Sequence, residues 1–151
     1  MKRIMHMALG AISLLAFQTP VFAADTDPEK ADQFLECLSI AEDQRERDPD
    51  PEMKRHWAQY SQVYAANVFT YAGDIKYAFE HIQEKFAKWD NMRNFIPAQS
   101  INNLSLALLK KCDEIAVEHL DRVGPYQDAL AVYLKAREEA KAAAPADQAK
   151  N

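Results

Sequence analysis

Between Trp57 and Trp89 the large apolar side chains recur in steps of three and four: Trp57, Tyr60, Tyr64, Val68, Tyr71, Ile75, Ala78 with Phe79, Ile82, Phe86 and Trp89. Residues spaced this way lie on one side of a 3.6-residue turn, so the stretch reads as one buried helical face. It holds both tryptophans and most of the tyrosines. The other segments are therefore expected to pack against it, with Trp57, Tyr60, Tyr64, Tyr71, Phe79, Ile82, Phe86 and Trp89 as the core.

The flanking segments have the same character. After residue 23 glycine occurs only at Gly73 and Gly124, no run alternates at period two, and Ala, Leu, Glu, Lys and Gln abound. That is an all-helical composition. Asp27-Pro28-Glu29 is a start signal, since Asp caps free amides and Pro suits the first turn. The first helix would bury Ala31, Phe34, Leu35, Leu38 and Ala41, with Cys37 at the edge and Ile40 opposite. Its charged end, Glu42 to Asp48, runs into Pro49, and Asp50-Pro51-Glu52 repeats the start signal for an antiparallel neighbour.

Residues 1–23 have the form of an export leader. Lys2 and Arg3 precede an apolar run, Ala8 to Phe17, that is too short to span a bilayer, and Val21-Phe22-Ala23 offers small residues at −3 and −1. Cleavage after Ala23 is expected, with no lipid-bearing cysteine beside it, and the style of the segment points to a Gram-negative periplasm. Losing Lys2 and Arg3 leaves 16 basic side chains against 23 acidic ones, a net charge of −7. Such a balance argues against nucleic acid and against anionic lipid headgroups. No second apolar run is long enough for a membrane span, so no insertion is expected after processing.

Cys37 and Cys112 belong to no CxxC or CxxCH motif. In an oxidising compartment they are expected to form one structural disulfide. This pairing bears on the central stretch, which could be one helix through Gly73 or two helices broken there. In a single straight helix, neighbours folding back from each end would carry the two cysteines to levels about 30 Å apart. A disulfide needs Cα atoms roughly 4.4–6.8 Å apart. A break at Gly73, with Asp74 capping the next helix, brings the levels together.

The expected fold is therefore an all-α, disulfide-pinned, up-down four-helix bundle with an additional C-terminal helix, forming one domain over 24–144 before a disordered tail at 145–151. The third helix should run from Asp74 to about Phe95, where Pro97 closes it. The fourth should start near Pro97 or Ser100 and run to Val123-Gly124. Its apolar arc is wide enough for two neighbours, and the helix opened by Pro125, carrying Tyr126, Ala129, Leu130, Tyr133 and Leu134, is the expected second one.

Chemistry-bearing patterns are sparse. Glu-x-x-His pairs, as in di-iron bundles, are missing, because Met53, Ala78 and Ala116 stand three residues before His56, His81 and His119. No two histidines have zinc spacing, and there is no phosphate loop or nucleophile elbow. The pairs Glu42/Asp43, Asp113/Glu114 and Glu138/Glu139 are adjacent, so they diverge around a helix and read as solvated faces. No catalytic residue, metal site or cofactor is expected, and the chain is not expected to be an enzyme. His119 with Met53 is the one pair that could serve a haem, which makes a small-molecule or haem carrier the alternative reading.

Apolar residues off the core stripes remain: Val63, Phe69 and Tyr77, with Phe95 and Ile96 at the corner between the third and fourth helices. Tyr77, Phe95 and Ile96 are the candidate partner-binding residues, since large exposed aromatics serve as anchors. In size, export signal, acidity and a cysteine pair the chain resembles, in gross plan, the small periplasmic helical immunity proteins that neutralise cell-wall-degrading toxins. The expected function is binding to another exported protein, as an immunity or inhibitor protein or an assembly factor.

Overall fold

Five helices make up the computed structural model, which describes residues 26–143. They are α1 (Pro28–Arg47), α2 (Pro51–Ala72), α3 (Lys76–Phe95), α4 (Ala98–Ala116) and α5 (Val123–Ala143), with a 3₁₀ turn, Val117–Arg122, before the last. No strand occurs among the described residues. The expected leader, 1–23, and the expected tail, 145–151, lie outside the described residues.

The helix starts follow the local chemistry. Asp27 accepts a hydrogen bond from the Lys30 amide at 3.0 Å, and Pro28 opens α1. That amide bond holds the Asp27 carboxyl below the ordinary carboxylate range. Asp50 caps α2 through the Glu52 amide at 2.8 Å. Gly73 ends α2 in the left-handed region at φ 69°, its N–H bonded to the Phe69 carbonyl. A Cβ there would also stand 3.2 Å from the Thr26 methyl. Asp74 then accepts from the Lys76 amide at 2.9 Å. The stop and restart at Gly73 thus separate α2 from α3.

Pairings across the bundle give its direction. Asp32 meets Lys85 and Asp43 meets Arg93, so α1 and α3 run parallel. Cys37 joins Cys112 with Cα atoms 6.6 Å apart, both fully buried, and pins α1 to an antiparallel α4. With tight turns at 48–50 and 73–75, the order is up, down, up, down.

The innermost element is α1, not the Trp57–Trp89 stretch. Every residue from Phe34 to Ala41 is buried, including Ile40, which a single-faced helix would have left outside. A segment that is apolar on most of its circumference belongs in the middle, and α2, α3 and α4 all pack on α1. Of the expected core, Tyr64, Tyr71 and Trp89 are buried, while Trp57, Ile82 and Phe86 are partly buried. Tyr60 and Phe79 are more than 40% exposed. Tyr60 stands at the margin of its stripe, stacked on Tyr64 with ring centroids 6.0 Å apart. At 100° per residue Phe79 lies about 80° round α3 from Trp89. Its ring stacks instead on Tyr133 of α5, 5.3 Å away.

The end of the chain departs from expectation in two ways. The fourth helix stops at Ala116, and His119 takes a non-helical conformation, φ −130° and ψ 34°, inside the 3₁₀ turn. Helix α5 then packs on α2, not on α4. Arg122 anchors the turn by donating to the buried Asn67 at 2.6 Å, its guanidinium 4.7 Å above the Tyr71 ring. Tyr126 follows against Phe69. With α5 on the other side, Leu106, Val117 and Leu120 stay exposed.

Candidate functional site

Helices α1 and α3 are joined by ion pairs as well as by apolar contacts of α3 with the core. Trp89 is the only buried residue of α3, and Lys85 and Arg93 lie on the same line of that helix. Glu36, 8% exposed within the apolar run of α1, receives the ammonium groups of Lys85, at 3.3 Å, and Lys88. Lys85 also reaches Asp32 at 2.6 Å. Burial alone would lower the Lys85 pKa, but the Asp32 and Glu36 carboxylates outweigh it and raise it.

Further along, four alternating charges close a ring. Asp43 is bonded by Arg47 Nε at 2.9 Å and by Arg93, while Asp90 is bonded by Arg93 at 2.8 Å and lies 3.8 Å from Arg47. The ring clamps the C-terminal turns of α3 onto α1. Beside it α1, α3 and α4 leave a cleft of about 230 Å³, floored by Ile40, Trp89 and Ile101. The Trp89 indole N–H is enclosed and has no hydrogen-bond acceptor.

The ring, the cleft and the α3–α4 corner share one end of the bundle. At that corner Phe95 is 87% exposed and Ile96 next to it 36%. Pro97 forces the chain out of helix there, so the Phe95 side chain ends one helix with no neighbour above it. Tyr77 does not join them. It lies 18 residues earlier, about 27 Å along the axis at 1.5 Å per residue, half-buried against the core with its ring 4.5 Å from His81. Val63 and Phe69 are likewise partly buried on the core.

Two other expectations concern ligands. Met53 sits at the start of α2 and His119 beyond the end of α4, so the bundle places them at opposite ends, too far apart to share one iron. Among the described residues no three His, Cys, Asp or Glu side chains converge as a metal site. Two of the acidic pairs read as solvated are in fact engaged. Asp43 belongs to the charge ring, and Asp113 accepts from the Tyr64 hydroxyl at 2.5 Å. Burial first, and that carboxylate second, push the Tyr64 phenol well above its usual range. No described helix is long and apolar enough to cross a membrane.

The sequence signal for the ionic seam is Glu36, an acidic residue inside an eight-residue run with only Ser39 as a second polar member. Lys85 and Arg93, in phase with Trp89, are its counterpart on α3. No protein family matches the chain, and no curated protein or solved structure is significantly similar to it.

Proposed function

We propose that this is an exported, periplasmic binding protein that acts on another exported protein, as an immunity or inhibitor protein or as an assembly factor. The observation that carries the reading is Phe95. A large aromatic held 87% exposed, beside Ile96 on a crosslinked bundle, leaves apolar surface in water that a partner would cover. Burying such a side chain is worth roughly 1.5–3 kcal/mol, and aromatics are the enriched anchors of interface cores. The charge ring ties the last turns of α3 to α1, which places Phe95 at a defined corner of the bundle. The Cys37–Cys112 bridge fits an oxidising compartment, and the Lys2–Ala23 pattern supplies the route to it. The acidic net charge would speed encounter with a basic partner.

Two measurements test the proposal. Intact-mass analysis of periplasmic protein is expected to show a chain that begins at Ala24; full-length protein in the membrane fraction would overturn export and processing. The second is capture from native envelope extract, with and without toxins of competing strains, using the parent and Phe95→Ser. One protein retained by the parent and lost with the variant supports the reading. Retention indifferent to Phe95 and Ile96, or no retained protein at all, would sink it. A Soret band in the purified protein would instead establish the haem carrier.

A further inference from the structure

The cleft beside the charge ring is lined by two cationic side chains and one anionic one, with Asp90 completing the ring just outside it. The whole chain carries a formal charge of −5, yet Arg47 and Arg93 face only Asp43 among the residues that line this cleft. Its neutral polar members, Asn102 and Ser105 among them, can donate hydrogen bonds. Asp43 is already engaged through both oxygens, one held by Arg47 Nε and the other by Arg93. The terminal nitrogens of Arg47 are lightly engaged, with Asp90 3.8 Å away, and the side chain is 57% exposed. Behind these donors lie Ile40, Trp89 and Ile101, each at most 5% exposed. The Trp89 indole, in the same wall, holds a donor without an acceptor.

We infer that this cleft binds a carboxylate borne on a small apolar or aromatic group, with Arg47 as the carboxylate's partner. A guanidinium fork pairs with a planar carboxylate through two parallel hydrogen bonds, and in a half-enclosed site such charge-assisted bonds are about twice as strong as neutral ones. The apolar group would lie on the Trp89–Ile101 floor. Space is adequate: a cavity of 150 Å³ takes a benzene ring, and this one has about 230 Å³. The same chemistry is offered by a free organic acid and by the C-terminal residue of a polypeptide. The site does not rest on the Phe95 reading, and either can fail alone.

The test is titration of the purified, ¹⁵N-labelled protein with 3-phenylpropionate, read at the Trp89 indole cross-peak. Trp89→Phe is used only to assign that peak. A saturable shift is expected, with affinity at least tenfold weaker for 3-phenylpropanamide and for Arg47→Gln, and intermediate for Arg47→Lys. Asn102→Phe, an exposed rim position that leaves the ion pairs intact, should close the cleft and abolish the shift. No saturable shift up to tens of millimolar, or equal affinity for acid and amide, would overturn the site, as would indifference to Arg47→Gln and Asn102→Phe together. A short peptide ending in Phe, free or amidated at its C-terminus, assigns the source. Binding by the free-ended peptide alone supports recognition of a chain terminus, and failure of both peptides beside a binding acid supports a free small carboxylate.

Discussion

Helices α1 and α3 each have twenty residues, but nine of those in α1 are buried and one in α3. The difference is one of position in the bundle. Helix α1 packs on α2, α3 and α4 and meets them through Phe34, Leu35, Leu38 and the disulfide, while α3 contributes Trp89, partly buried residues such as Ile82 and Met92, and two sets of ion pairs. The first kind of attachment is hydrophobic burial plus a crosslink, which salt hardly affects. The second trades desolvation of charges against their attraction, and its net worth is small even where breaking it is costly. The same fold therefore has a stable axis and a more weakly held outer helix, and the outer one carries the exposed Phe95.

The comparison is tested most severely by truncation. Phe34→Ala should cost about 3–5 kcal/mol, as a fully buried aromatic in a packed core does. Phe86→Ala, on the half-exposed flank of α3, should cost under about half of that. Urea midpoints of the two variants measure the contrast, and equal losses would mean that the two helices are attached alike. Trp89→Ala belongs with the large class, as the one deep anchor of α3.

Next in size is the disulfide. Replacing Cys37 and Cys112 with Ala should lower stability by about 2–4 kcal/mol. The loss should fall on the α1–α4 contact and leave the α3 amides exchanging as before. Hydrogen exchange read residue by residue distinguishes that from global loosening, and free thiols in freshly isolated protein would contradict the bridge itself.

A smaller effect, and one of opposite sign for two substitutions, is expected at Glu36. Glu36→Ala leaves Lys85 facing only Asp32 and opens space in the α1–α3 seam, so it should destabilise by about 1–3 kcal/mol. Glu36→Met keeps the volume in an otherwise apolar run; with Lys85→Met beside it, the double variant should be neutral or more stable. Melting of the parent, the single and the double variants checks the ordering. If the double variant fell below Glu36→Ala, the ion pairs would contribute more than the comparison allows.

How much of this was legible beforehand depends on whether the cause is local. The Asp-Pro starts, the glycine stop at Gly73 and the pairing of Cys37 with Cys112 are written in short-range chemistry or in the reach of one bond, and the structure follows them. The choice of central helix is not local. The aromatic stripe of α2 and α3 is heavier in side-chain mass, but Phe34–Ala41 is apolar on all but the Glu36–Ser39 side, and only the packing of three neighbours turns that into centrality. Wheel phase also cannot say which helix covers a face, so α5 was expected on α4 and lies on α2. The exposure of Phe95 and Ile96 was legible because Pro97 forces a corner. The ring of Asp43, Arg47, Asp90 and Arg93 was not, because its members come from two helices whose register only the fold sets.

The smallest effect concerns pH, and it separates the two attachments from the basic side. Below about pH 10, the ordinary tyrosine value, Tyr64 holds its proton in both folded and unfolded chains, and stability is indifferent to it. Above that, the unfolded chain releases the proton while the folded one keeps it, bound between burial and the Asp113 carboxylate, so stability must fall with rising pH. Lys85, raised by Asp32 and Glu36, behaves likewise: its contribution is complete below the unfolded lysine value near 10.4 and is lost as pH climbs through the folded one. The two act on different contacts, Tyr64 on the α2–α4 side of the core and Lys85 on α3. Urea midpoints at pH 8 and pH 11 should therefore fall for the parent, fall less for Tyr64→Phe, and fall less again when Lys85→Met is added. Exchange of the Trp89 indole proton, followed over the same range, should accelerate before the core amides around Phe34 do. If the core opened first, the ion pairs of α3 would be the firmer of the two attachments, and the stable axis would have to be assigned to them.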